Sequence, residues 1–272
     1  MKWLWVPLAL IALQVVAADR ATLTIVDGGA RVGFSRSELL SRPDVEAITV
    51  GDSVYHQQVT HFKAIPLANL FKGLPMAEDA LIQCTGTDGF SALLQKSRLF
   101  DLDPKASHAY LAIEEPDHPW PVLDGQPTSA GPFYVVWTNP RASAIGREEW
   151  PFRIASFTVI ADGHRAFPHS YPTADAGQAV AAGFKSFQKN CFACHRMNGD
   201  GAGTIGPDLN RPLSPTEYLQ PDALRSLIRD PANVRSWPGM VMRGFSPAAI
   251  PDAELADLVA YLKYMRGRKT PG

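Results

Sequence analysis

The chain has 272 residues, of which 46% are hydrophobic and 19% charged, and its formal net charge is −1. This composition excludes a disordered or membrane-rich chain, and the near-neutral charge gives no footing for nucleic-acid binding. The length exceeds what one hydrophobic core usually spans, which predicts two domains.

The first 18 residues have the order of a secretory signal. Lys2 supplies a positive start, Trp3 to Val16 is apolar, and Val15-Val16-Ala17-Ala18 offers small residues for cleavage. The apolar run is shorter than the ~20 residues of a spanning helix, so cleavage is expected rather than a retained anchor. No other long apolar run occurs. The mature chain is therefore expected to be periplasmic, with no stable membrane span.

Residues 19–160 are rich in short β-like runs punctuated by Gly, Pro, Asp and Asn. Strands are predicted at Ala21 to Val26, Ala47 to Val50, Phe133 to Trp137 and Ile154 to Ile160. Helical patches fall between them, at Ser35 to Leu40 and Pro66 to Phe71. Ser35 followed by Glu38 is a capping-box pair, which places a helix start there. The mixture predicts an α+β, β-rich domain. Residues 161–176 contain two prolines and no periodicity, and are read as a linker.

Residues 177–270 read as helical. Leu255, Leu258, Val259, Leu262 and Met265 form one apolar face, with Asp252 and Glu254 in the first turn and Lys263, Arg266 and Arg268 near the end. Val180, Phe184 and Phe187 make a similar stripe further upstream. Residues 174–272 carry 12 Lys+Arg against 9 Asp+Glu, a formal +3, while residues 19–173 carry −5. So small a contrast reads as ordinary solvated surface.

Two of the three cysteines lie in Cys191-Phe192-Ala193-Cys194-His195. This spacing attaches one porphyrin covalently, through thioethers from Cys191 and Cys194, with His195 as the proximal ligand of the heme iron. A zinc site would need further ligands, and no Cys or His follows His195. His164 and His169 lie upstream in the expected linker. With no His downstream, a methionine is the natural candidate for the second axial ligand. Met197 is too close to the motif, and Met265 belongs to the apolar face of the last helix. Met240 and Met242 remain, in Trp237 to Phe245, and spacing does not choose between them. Arg235 and Trp237 are candidates for contacts to a heme propionate, with surface Arg and packing Trp as the other reading of each.

Residues 177–269 resemble a class I cytochrome c domain. Gly183 and Phe187 match the positions where the first helix of that family packs on the last. Tyr261-Leu262 matches the aromatic-leucine pair of the last helix. Gly206-Pro207-Asp208-Leu209 matches the family's GPxL turn. Met242-Arg243-Gly244-Phe245 matches its ligand segment, with Arg243 where proline is usual. The resemblance implies that the Pro207 carbonyl accepts the His195 N–H and that Met242 is the axial ligand. It also implies single-electron transfer with both iron positions filled.

Phe62 to Phe71, Ile82 to Phe90 with Asp88-Gly89-Phe90, and Gly131-Pro132 with its following strand are similar to the molybdopterin-binding fold of sulfite oxidase relatives. That family holds molybdenum through a cysteine that precedes the helix segment. Here no cysteine precedes Cys84. The expectation is therefore the sulfite oxidase-like fold without the metal, with Cys84 buried and inert. His56, His61, His108 and His118 match no metal-binding spacing. Trp120 and Trp150, each beside a proline, read as core or turn anchors.

The combined expectation is a multidomain protein, with a β-rich sulfite oxidase-like domain followed by an all-α cytochrome c domain. It would be an exported electron carrier with one covalent heme c, serving a redox partner protein such as a dehydrogenase or a terminal acceptor. The alternatives are a molybdenum oxidoreductase of the sulfite dehydrogenase type and a heme-based sensor.

Overall fold

The structure, a computed structural model, describes residues 21–51, 53–55 and 60–271. The expected signal at residues 1–18 and His56 lie outside the described residues.

Nine strands are present among the described residues: β1 (Thr22–Asp27), β2 (Ala30–Ser35), β3 (Glu46–Val50), β4 (Thr60–Pro66), β5 (Leu81–Gly86), β6 (Ser91–Gln95), β7 (His108–Ile113), β8 (Phe133–Thr138) and β9 (Ile154–Ile160). They form a five-stranded sheet in the order β2-β1-β9-β5-β6 and a four-stranded sheet in the order β3-β4-β7-β8. All pairings are antiparallel except β1 with β9. Three of the four predicted strands correspond to β1, β3 and β9, and the fourth to β8. At Ser35 the side chain accepts from the Glu38 N–H, and Glu38 reaches back to the Ser35 N–H at 2.7 Å. The capping box thus starts the helix Arg36–Leu40.

Alternation along the strands explains the layering. Leu23 and Ile25 of β1, Ile82 and Cys84 of β5 and Phe157 of β9 point toward the second sheet. They meet Ile65 of β4, Leu111 and Ile113 of β7, and Phe133, Val135 and Trp137 of β8. The intervening residues Tyr134 and Val136 of β8 point the other way, into a smaller core with Tyr55, Phe62 and Leu123. Buried on both faces, β8 is therefore an unbroken aromatic and aliphatic run from Phe133 to Trp137. The polar tips are satisfied: Tyr134 Oη accepts from the Val54 N–H at 2.9 Å, and Trp137 Nε1 donates to the Glu149 carbonyl at 2.7 Å.

The outer face of the five-stranded sheet carries the helical half. Leu81 of β5, Leu93 of β6 and Ile160 of β9 pack into one core with Phe184, Phe187, Leu258 and Tyr261. Helix Gln178–Asn190 crosses helix Asp252–Arg266 at Gly183. A Cβ on Gly183 would strike the Asp257 carbonyl, so only glycine lets the two backbones approach this closely. The rings of Phe184 and Phe187 then reach Tyr261 at 5.4 and 5.2 Å between centroids. All five residues of the expected face of the last helix are buried.

The stretch 161–176 is packed, where the sequence predicts a linker. It carries the helical turn Gly163–Ala166, buries Phe167 and Ser170, and stacks Tyr171 on Phe184 at 4.5 Å. Tyr261 Oη donates to the Ser170 carbonyl at 2.7 Å, and Asp200 accepts from both the His169 and Ser170 N–H groups at 2.7 Å. Its aromatic residues are anchored by partners far away in sequence, so periodicity gives no sign of them.

Candidate heme-binding site

The CxxCH motif begins where helix Gln178–Asn190 ends. The Cys191 and Phe192 N–H groups both donate to the Phe187 carbonyl, at 2.9 and 3.0 Å. The Cys194 and His195 N–H groups donate back to the Cys191 carbonyl, at 3.1 and 2.9 Å. These bonds wind the motif into one compact turn. The two residues between the cysteines are its anchors. Phe192 is buried against Phe167 and Phe187, at 5.1 and 5.4 Å, and Ala193 is buried against the inter-sheet core of the first half. The cysteines themselves remain half-buried and unbridged.

His195 is oriented from behind. Its Nδ1 lies 2.8 Å from the Pro207 carbonyl, an acceptor only, so Nδ1 carries the proton and the Nε2 lone pair is left to bind a metal. Burial lowers the imidazole pKa, while the Pro207 carbonyl and the Asp208 carboxylate pull it partly back. The net shift favours the neutral ring, the form that ligates. Gly206 lies directly against it, and a Cβ there would enter the imidazole ring.

Asp208 organises the loop around this turn. Its carboxylate accepts from the backbone N–H groups of Asn198, Gly199, Asn210 and Arg211, at 2.6 to 3.1 Å. An aspartate just after a Gly-Pro pair is the kind of residue that gathers loop donors, and that is the one sequence signal for this role.

The thiols are shifted in one direction. Burial first, and then the Glu148 carboxylate, raise both, with Cys194 pushed up to about 12. A buried thiolate is penalised here, whereas a thioether sulfur carries no charge and is not. Two cysteine sulfurs and one oriented imidazole brought into a single turn are a donor set that fits a covalent heme. Among the described residues no group of three or more His, Cys, Asp or Glu is arranged to hold a metal ion.

Met240 and Met242 lie in an irregular stretch and are both half-buried, whereas Met197 and Met265 are sealed in the helical core. The stretch is fixed at its far end. The Phe245 N–H donates to the Ile228 carbonyl at 3.0 Å, and Arg229 Nη1 donates to the Phe245 and Ile250 carbonyls at 3.0 and 2.7 Å. No hydrogen bond among the described residues involves Val241, Met242, Arg243 or Gly244. Arg229 was not legible in the sequence as part of this arrangement.

Other candidates are dispersed. His61 bonds Thr49, His108 bonds the Asp103 carbonyl, and His118 pairs with Glu115, each in a separate place. Trp120 packs on Phe62 at 5.0 Å and Trp150 on Tyr134 at 6.3 Å, both as anchors. Arg235 stacks over the exposed Trp237 ring at 5.2 Å. His164 stacks on Tyr171 at 3.8 Å. Cys84 is fully buried in β5, with its thiol pushed up by desolvation. No helix among the described residues is long and apolar enough to cross a membrane.

No curated protein matches the chain. Residues 180–266 match the family model described as Cytochrome c, and with the motif, the crossed helices and the oriented histidine this part of the chain is a cytochrome c domain.

Proposed function

We propose that the chain is an exported, periplasmic carrier of single electrons through one covalently bound heme c. The observation that carries this reading is the Cys191–His195 turn, with His195 Nδ1 committed to the Pro207 carbonyl. Cys191 and Cys194 would hold the group by thioethers. His195 Nε2 would ligate the iron from one side, and Met242 from the other. Bound heme supplies an iron that changes oxidation state by one electron, and a thioether ligand favours its reduced form. Phe192 and Ala193 keep the turn rigid, so the ligand positions need not move during transfer. With two protein ligands no position is left for a substrate, and the half carries electrons without making bonds.

We further infer that the first half has the sulfite oxidase-like fold without molybdenum, and serves as a docking or ligand-binding module for a redox partner. The burial of Cys84 supports the reading without the metal, because a sealed thiol in mid-strand has no route to a metal ion. A dehydrogenase or a terminal acceptor is the class of partner implied.

Purified holoprotein should have the mass of the mature polypeptide plus one heme, and should keep its colour through acid-acetone extraction. Iron should be near one per chain. Loss of colour on extraction would overturn the covalent attachment, and molybdenum near one per chain would overturn the reading of the first half.

A further inference from the structure

The short 3-10 turn Arg147–Glu149 belongs to the first half but lies between two segments of the second. At one end, Gly146 packs against the Lys189 side chain, and Lys189 Nζ lies 4.0 Å from Glu149 Oε2. Lys189 is two residues before Cys191. At the other end, the Arg147 guanidinium stacks over the Phe245 ring at 5.0 Å. Phe245 is three residues after Met242. The turn therefore bridges the segment that carries the cysteines and the segment that carries the methionines.

The turn is itself rigid. Glu149 is buried, takes a two-point bond from Arg98 at 2.7 and 3.1 Å, and accepts from the Gly146 N–H at 2.7 Å. Arg147 in turn grips Glu148 through Nε and Nη2, at 3.0 and 2.9 Å. The Glu148 side chain is mostly buried, while that of Arg147 is about half exposed. The Arg147–Glu148 pair therefore sits in the turn that touches both segments.

We propose that the Arg147–Glu149 turn is a potential-setting part of the heme enclosure, with Glu148 as its charge and Arg147 positioning both Glu148 and the Met242 segment. The inference rests on the heme reading above. A fixed negative charge in this turn favours the oxidised, more positive iron, and a fixed positive charge opposes it. The first half would then tune the electron carrier by direct contact, in addition to any partner it binds.

Redox titration of the intact holoprotein tests this. Glu148→Gln should raise the reduction equilibrium constant about three-fold, which is about 28 mV at 59 mV per tenfold for one electron. Arg147→Gln should lower it by a similar factor and weaken the methionine-to-iron absorption band, whereas Arg147→Lys should restore the potential. Covalent heme content, read from the mass of each variant, should stay at one. If heme is retained and Glu148→Gln leaves the potential unchanged or lowers it, this inference fails and the heme reading stands. If the parent protein holds no covalent heme, the heme reading itself fails.

Discussion

The two halves of the molecule handle reactive groups in opposite ways. In the first half, two sheets close over a core of Leu, Ile, Phe and Trp, and the one cysteine faces into that core with no exposed surface. In the second half, two cysteines and a histidine are left half-buried, and rigidity comes from the residues between and behind them. Phe192 and Ala193 are buried where Cys191 and Cys194 are not, and Pro207 holds the imidazole from the rear. The contrast shows that a cysteine's role here follows from its local frame. In a strand, Cys84 alternates inward with Ile82 and becomes packing. In the turn after a helix, the cysteines are presented and their neighbours are packed.

The largest expected effect lies in the turn. Cys191→Ser with Cys194→Ser should reduce covalent heme from one to none, while the thermal unfolding of the first half persists. A simultaneous loss of the first-half transition would show that the halves do not differ in the way described. Met242→Ala should remove the methionine-to-iron band. If Met240→Ala removes it instead, Met240 is the ligand.

The next test moves to the sealed half. Phe133→Ala, at a position with no exposed surface, should cost about 3–5 kcal/mol of folding stability. The methionine-to-iron band should be unchanged in the folded fraction, as checked by denaturant unfolding alongside the spectrum. Gly183→Ala should force the two long helices apart at the Asp257 carbonyl and cost about 1–3 kcal/mol, this time in the second half.

The smallest effect concerns pH. Glu217 is held below its ordinary 4.5 by a hydrogen bond from Lys269 and then by the Ser214 N–H. The folded pKa is depressed, so the unfolded chain binds more protons as pH falls through this window. The contribution is fully present above about 4.5 and is lost as pH falls through the folded value. Glu217→Gln should flatten that part of the acid limb slightly, because the pair is solvent-exposed and screened. An identical acid limb in the variant would show that Glu217 adds nothing measurable.

The residues that were legible in the sequence share a property: their partners are close in sequence or repeat along an element. The five-residue motif, the apolar face of the last helix, the capping box at Ser35 and the apolar run of β8 are of this kind. The Pro207 contact came from the resemblance of the Gly206-Pro207 turn, and the structure has that bond. Strands β2, β4, β6 and β7 were not among the predicted runs, and β2, largely exposed, lacks the alternation of a half-buried strand. Tyr171 and Phe167 gave no signal because their partners stand outside any local period. The bridge from Arg147 to Phe245 joins residues almost a hundred positions apart, through a cation over a ring, which no spacing rule encodes.

One backbone bond has a consequence for the free edge of the five-stranded sheet. Strand β6 is an outer strand of the five-stranded sheet, and its Ser91 N–H donates to the Ala193 carbonyl inside the CxxCH turn at 3.0 Å. Nearby, the Gly89 carbonyl takes the Thr204 N–H at 3.3 Å. Bare sheet edges invite other chains to pair with them, and natural proteins cover them. The electron-carrying half is therefore also the cover of this edge. A first half produced alone would present an open row of donors and acceptors at β6, and self-association would be its characteristic failure.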